Sequence, residues 1–190
     1  MNSPSWWQIA APLPDANALT RARDHQNQLT KPQGALGRLE EIAIRLAALQ
    51  VSDTPRVDKV AIAVFAGDHG VVEEGVSAFP QAVTLEMMKN FVAGGAAISV
   101  MARQLGAKLR VINVGSLAPA GSLPGVVDRI AGHCTANFCQ GAAMTQDGFQ
   151  SAMAAGKAEA QHAVDENADL LIGGEMGIGN TTAATALLSH

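Results

Sequence analysis

The sequence predicts an α/β fold: a Rossmann-like parallel sheet with flanking helices, preceded by a small N-terminal helical subdomain. Three observations carry that reading. A continuous apolar run at 59–65 has the character of a strand buried on both faces, which belongs to a parallel sheet, and further strands are read at 108–114 and 169–172. Between them lie longer stretches with apolar residues at three- and four-residue steps, the mark of helices. Ahead of them only helical periodicity occurs, so the chain divides into a helical subdomain, 1–55, and a parallel α/β domain, 56–190.

Residues 1–14, with Pro4, Pro12 and Pro14, read as an irregular lead. Asp15 can cap a helix over 16–29, with Leu19, Ala22, Gln26 and Leu29 on one face. Lys31-Pro32-Gln33-Gly34 breaks it, and a second helix over 36–50 carries an apolar stripe of Leu36, Leu39, Ile42, Ala43, Leu46 and Leu49. A strand over 59–65 then runs into a polar loop, 67–80, that contains glycines. Helices follow over 81–91 and 96–105, the second ending at Gly106. A second strand over 108–114 closes at Gly115, and 116–125, with two prolines and two glycines, reads as loop. A strand near 126–131, an ambiguous stretch at 135–140, a long alanine-rich helix over 145–167 and a strand over 169–172 complete the pattern. The glycine-rich segment from Gly173 leads into a last helix, within which the sequence stops at His190.

Composition excludes several classes of function. With 48% hydrophobic residues the chain can bury a core; with 4% aromatics and no tyrosine, that core must be aliphatic. The net charge is −4 and no Lys/Arg cluster occurs, which argues against a nucleic-acid partner. No apolar run approaches the roughly 18 residues needed to cross a bilayer, so no membrane partner is expected. The opening Met-Asn-Ser-Pro-Ser-Trp-Trp lacks a basic segment followed by an apolar run, so a cytoplasmic protein without a secretory signal is expected. Cys134 and Cys139 have no second Cys/His pair at zinc spacing and read as two buried, reduced thiols, although a disulfide is feasible. Met87, Met88, Met101, Met144 and Met153 lie in helical patterns and read as core filler rather than metal ligands.

Four loops could carry chemistry. From Gly173 to Thr182, four glycines precede Asn180, Thr181 and Thr182 at a helix start. Exposed backbone N–H groups and a helix dipole suit a phosphate; a ligand-free strand-to-helix turn is the plain alternative. Neither the Walker lysine nor the dinucleotide glycine spacing is present. Glu175, a carboxylate among glycines, fits a base or an acceptor for a protic substrate. Asp68 and His69, directly after the first strand, suit substrate or metal contact, or else cap a turn and bond backbone. Ser77 and Gln81, uncharged hydrogen-bonders beside Val76 and Phe79, suit a flat, mostly apolar ring, or cap an ordinary loop. Lys31 and Arg38 suit a phosphate, against a preferred reading as solvated charges on a helix hairpin.

Read together, KPQGALGRLE at 31–40, FAGDHGVVEEGVSAFPQAVT at 65–84, GGAAISVMAR at 94–103, GAAMT at 141–145 and GEMGIGNTTAATAL at 174–187 resemble successive signatures of the nicotinate-nucleotide–dimethylbenzimidazole phosphoribosyltransferases. The resemblance implies a Rossmann-like domain plus a small helical domain, a homodimer, and no metal or organic cofactor. It implies transfer of phosphoribose from nicotinate mononucleotide to 5,6-dimethylbenzimidazole with inversion at C1′, giving nicotinate and α-ribazole 5′-phosphate for the lower ligand of cobalamin. Glu175 matches the motif glutamate at the family's site, and Ser77 and Gln81 match the loop that flanks the base pocket. Gly177, Gly179, Asn180, Thr181 and Thr182 fall where phosphate and ribose are held, with Asp68 and His69 as further substrate contacts.

The chain departs from the family pattern in three places. The family's principal base is a second glutamate downstream of the Asn-Thr-Thr helix, in a region that this sequence lacks. A truncated chain with weak or no catalysis of its own is therefore expected. Asn113 stands where the family often has Asp, and Ala142 where Pro is common. The rival reading is a non-catalytic ligand-binding or oligomerisation domain of the same fold. A phosphotransferase is disfavoured by the missing Walker lysine.

Overall fold

A computed structural model describes residues 6–117, 119, 121 and 123–189. Pro4 of the expected lead, Ala118, Ala120 and Ser122 of the expected 116–125 loop, and His190 lie outside the described residues. The chain separates into two compact units, Met1–Arg56 and Val57–His190.

In the first unit, α1 (Ala16–Gln28) starts at Asp15, whose carboxylate accepts the Ala18 N–H at 2.7 Å. A side-chain oxygen at this position satisfies one of the helix's orphan donors. α2 (Arg38–Gln50) packs on α1 through small residues. Ala18, Ala47 and Ala48 are buried, and the Asp15 N–H donates to the Ala48 carbonyl at 3.1 Å. This corrects the expected stripe. Close approach through alanines turns the larger Leu36, Leu39, Ile42 and Leu49 outward, each more than half exposed. Leu29 likewise leaves the helix as its exposed C-cap.

The second unit holds four parallel strands in the order β3-β2-β1-β4: β1 (Val60–Gly67), β2 (Lys108–Gly115), β3 (Val126–Asp128) and β4 (Leu170–Met176). β1 lies at the centre because its apolar run can be covered on both faces and paired on both edges. On one face Ile62, Val64 and Ala66 meet Val111 of β2 and Met88, Phe91, Ala96 and Ala102 from α3 (Ala82–Ala93) and α4 (Ala97–Leu105) with its approach. Gly94 and Gly106, both at positive φ, end these two helices. On the opposite face Arg110 of β2 meets Glu159 of α5 (Gln146–Asp165), a helix capped by Thr145.

Several elements differ from expectation. β4 continues through Gly173, Gly174, Glu175 and Met176, because register with Ala63–Ala66 of β1 satisfies that backbone. Only Gly177 and Gly179 then belong to the turn into α6 (Asn180–Leu188). β3 is three residues long, and 135–140 contributes an isolated bridge between His69 and Thr135 rather than a strand. The 67–80 loop contains a 3-10 turn, Gly70–Glu74. Met88 is fully buried and Met87 packs on the core, but Met101 and Met144 are exposed. Cys139 is exposed and Cys134 half-buried, and both are free thiols.

Candidate functional site

The carboxyl ends of β1 and β4 bring Asp68, His69 and the 175–182 segment to one rim, as open parallel sheets do. The turn between β4 and α6 is the tightest part. Gly177 is buried so closely that a β-carbon there would stand 2.0 Å from the Gly67 carbonyl oxygen and 3.0 Å from Cδ2 and Nε2 of His69. Gly179, at φ +89°, caps α6, and a β-carbon on it would lie 2.8 Å from Val72 Cγ2. Both glycines are therefore demanded by close approach to the segment after β1.

Glu175 shares its register with Phe65 on β1, is exposed, and takes a short hydrogen bond from Asn180 Nδ2. The other polar atom of that amide, Asn180 Oδ1, accepts the Thr181 N–H at 2.8 Å and its hydroxyl at 3.3 Å. The carboxylate thus sits directly over the α6 N-terminus, held by the first residue of the helix. Thr181 and Thr182, with Thr185, Ala186 and Phe138, line a shallow cavity of about 380 Å³.

His69 lies beneath the turn. Its burial pushes the imidazole below its ordinary pKa, against the opposing charges of Glu175 and Asp68, so it is neutral at neutral pH. The main chain after β1 is tied on two sides. Gln81, which starts α3, donates from Nε2 to the His69 carbonyl at 3.1 Å and to Cys134 Sγ at 3.7 Å. Asp68 is 3% exposed; its Oδ2 accepts the Leu117 N–H at 2.8 Å, and its Oδ1 is buried without a hydrogen-bond partner among the described residues. Asp68 also bonds by its N–H to Gly115 and by its carbonyl to Thr135, so it joins three segments rather than facing open solvent. Ser77 is half-buried, and its hydroxyl accepts the Phe79 N–H at 3.2 Å in a local turn.

In the separate N-terminal unit, Lys31 is not a solvated charge. It forms a 2.7 Å ion pair with Glu40 in which both side chains are 14% exposed, and Glu40 also accepts the Leu36 N–H. The Lys31 hydrogen bond holds the Glu40 carboxyl below its ordinary pKa. Arg38 is exposed at the start of α2.

A family model described as Phosphoribosyltransferase matches residues 11–190. A curated relative from Pseudomonas putida KT2440, named nicotinate-nucleotide–dimethylbenzimidazole phosphoribosyltransferase, is 56% identical over 185 residues, an alignment covering 97% of this chain and 53% of the relative. The chain belongs to the nicotinate-nucleotide–dimethylbenzimidazole phosphoribosyltransferase family. A relative of the same name from Pseudomonas fluorescens SBW25 is 56% identical, over 96% of this chain and 52% of its own. The crystal structure of the enzyme of that name from Thermus thermophilus superposes with a TM-score of 0.85 at 48% identity, covering 91% of this chain and 52% of that one. The chain thus spans about half the length of these members of the family.

Two residues that hold this rim together had no site role in the sequence expectations. Thr84, fully buried on α3, accepts the Ile178 N–H on Oγ1 at 3.2 Å. Asn113, 1% exposed, accepts the N–H groups of Gly115 and Ser116 and donates to Asp128 Oδ1 at 3.0 Å. An aspartate at 113 would face the Asp128 carboxylate without a proton to share, so the amide suits this pair. Thr84 stands inside the 65–84 signature, but its role depends on a contact 94 residues away. No local pattern announces such a contact.

Proposed function

We propose that this chain forms the nucleotide-facing part of a site that transfers phosphoribose from nicotinate mononucleotide to 5,6-dimethylbenzimidazole. One observation carries the reading: Glu175, bound by Asn180, stands over the α6 N-terminus on a turn that closes against the His69 segment. The backbone of Gly177 and Gly179, with Asn180, Thr181 and Thr182, holds phosphate and ribose, fixing C1′. Ser77 and Gln81 flank the benzimidazole, while Asp68 and His69 shape the floor. The ring nitrogen attacks C1′, the bond from C1′ to nicotinate breaks, and the benzimidazole N–H proton passes to Glu175. The products are nicotinate and α-ribazole 5′-phosphate, a component of the lower ligand of cobalamin. Because relatives are about twice as long, residues of their other half complete the reaction in this reading. In this reading the assembly is a homodimer, on the family resemblance, and its setting is cytoplasmic.

The alternative, a second reading, is a ligand-binding or oligomerisation domain of the same fold without turnover. Calorimetric titration with each substrate, beside an assay of nicotinate release, separates the two. Binding with turnover supports transfer, and Glu175→Gln is then expected to slow release by about 10²- to 10⁴-fold while nucleotide affinity is kept. Binding without turnover supports an intact half-site that needs the relatives' other half if Glu175→Gln alters that binding, and the second reading if it does not. If neither substrate binds, both readings fail.

A further inference from the structure

We infer that Thr84 is a positioning residue that sets the phosphate-facing turn relative to the ring-facing loop. The inference rests on the functional reading above for its ligands, though not for its geometry. The two halves of the site belong to segments far apart in sequence: Ser77 and Gln81 lead into α3, while 177–182 follow β4. α3 is fixed at its start by Gln81, which donates to the His69 carbonyl. Thr84 lies three residues further on, is 0% exposed, and presents Oγ1 to the N–H of Ile178 at 3.2 Å.

Ile178 is itself 8% exposed and lies between the two glycines of the turn. Gly177 rests against the Gly67 carbonyl and the His69 ring, and Gly179 against Val72. These contacts are repulsive walls. They limit how far the turn can move inward but supply no directional bond. The Thr84 acceptor supplies one, and a buried N–H deprived of it must seek another partner. The hydroxyl therefore defines where the backbone N–H groups of the following residues point. Through α3, it ties that direction to the position of Gln81.

The test uses the full chain with Thr84→Val, which keeps shape and removes the acceptor, and Thr84→Ser, which keeps the acceptor. Amide hydrogen exchange, followed by NMR at Ile178 and its neighbours, reads the tether without any ligand. T84V is expected to speed exchange at 178 by at least about tenfold, with T84S close to the parent. Calorimetry then reads the consequence. T84V is expected to weaken nicotinate mononucleotide by about tenfold or more while 5,6-dimethylbenzimidazole affinity stays within about twofold, and T84S restores the nucleotide. A general packing defect would lower both affinities together and would not be rescued by serine, which lacks the methyl group. Unchanged exchange at 178 in T84V overturns the inference, as does equal loss of both ligands. If the parent binds neither ligand, the functional reading falls, and the exchange data alone decide for or against the tether. If T84V does not fold, exchange and nucleotide affinity in T84S decide: parent-like values support the hydroxyl's role, and a loss in both overturns it.

Discussion

Replacing Gly177 by alanine would set a methyl carbon 2.0 Å from the Gly67 carbonyl oxygen and 3.0 Å from two atoms of the His69 ring. Carbon and oxygen ordinarily approach to about 3.3 Å, so one backbone must retreat by about 1.3 Å. Neither retreats easily. Gly67 ends the central strand, with its N–H and carbonyl neighbours committed to β2, and Gly177 is pinned through Ile178 to Thr84. Overpacking costs about 1–3 kcal/mol, and backbone on both sides places this case at about 3 kcal/mol. For a chain of this length that corresponds to a fall of about 6–12 °C in Tm. Gly173 is the internal comparison. It lies in the same strand-to-turn segment, but a β-carbon there meets nothing within 4 Å. Alanine in a strand interior is favoured over glycine by roughly 0.5–1 kcal/mol, so Gly173→Ala is expected to raise Tm by about 2 °C. Thermal melts followed by far-UV circular dichroism measure both. Intrinsic fluorescence does not serve, because Trp6 and Trp7 belong to the other unit. A Gly177→Ala melt within about 2 °C of the parent would refute the reasoning, since under about 1 kcal/mol could not accommodate such an overlap.

Other expectations are briefer. Glu159 is 2% exposed and pairs with Arg110 at 2.7 Å, with Arg129 at 3.6 Å. Although burial alone would raise its pKa, the two guanidiniums hold the carboxyl below its ordinary value. Because the folded pKa is the lower one, this stabilisation is present above about pH 4.5 and is lost as pH falls. Glu159→Gln should cost about 2–3 kcal/mol in urea unfolding at pH 7, less than a fully buried pair because Arg110 is partly exposed, and should flatten stability below pH 4.5. His69 has the opposite chemistry but the same acid sensitivity. Its folded pKa is depressed by burial, so the unfolded chain takes up protons first, and stability declines as pH drops below about 6.5. NMR titration should find its ring changing charge below pH 6.5; a midpoint at or above that value would contradict the burial. For the thiols, a disulfide reagent at pH 8 should label Cys139 at least about tenfold faster than Cys134, because burial pushes the Cys134 thiol upward and reactivity follows the thiolate. Equal rates would show that burial does not shelter Cys134.

The centre of the sheet was legible because a strand buried on both faces writes a continuous apolar run, as 59–65 does. Helix starts were legible where an oxygen-bearing side chain does the capping, at Asp15 and Thr145. Glycine misled at β4. Gly173 and Gly174 suggest a loop when taken locally, yet pairing with Ala63 and Val64 makes them strand. The α2 stripe misled for a related reason: periodicity shows that a face is apolar, whereas the partner decides which apolar face is covered, and α1 meets the alanines. At the site, Glu175, Gly177, Gly179 and Asn180 stood out through unusual residue types in a short span. Thr84 and Asn113 did not, because a buried threonine or asparagine acquires its role only from a distant backbone group.

The pairing of β1 with β4 joins residues 110 apart, from Val60 to Leu170. On a ribosome adding about 5–20 residues per second, β1 emerges about 6–22 s before the strand that closes its second edge. Through that interval β1 can pair on one side with β2, while its other edge stays open to whatever is nearby. Chain closure over so long a separation is slow in its own right. The central strand is therefore an early participant in a sheet that must finish late. The yield of folded chain should depend on how well that waiting edge is shielded during synthesis.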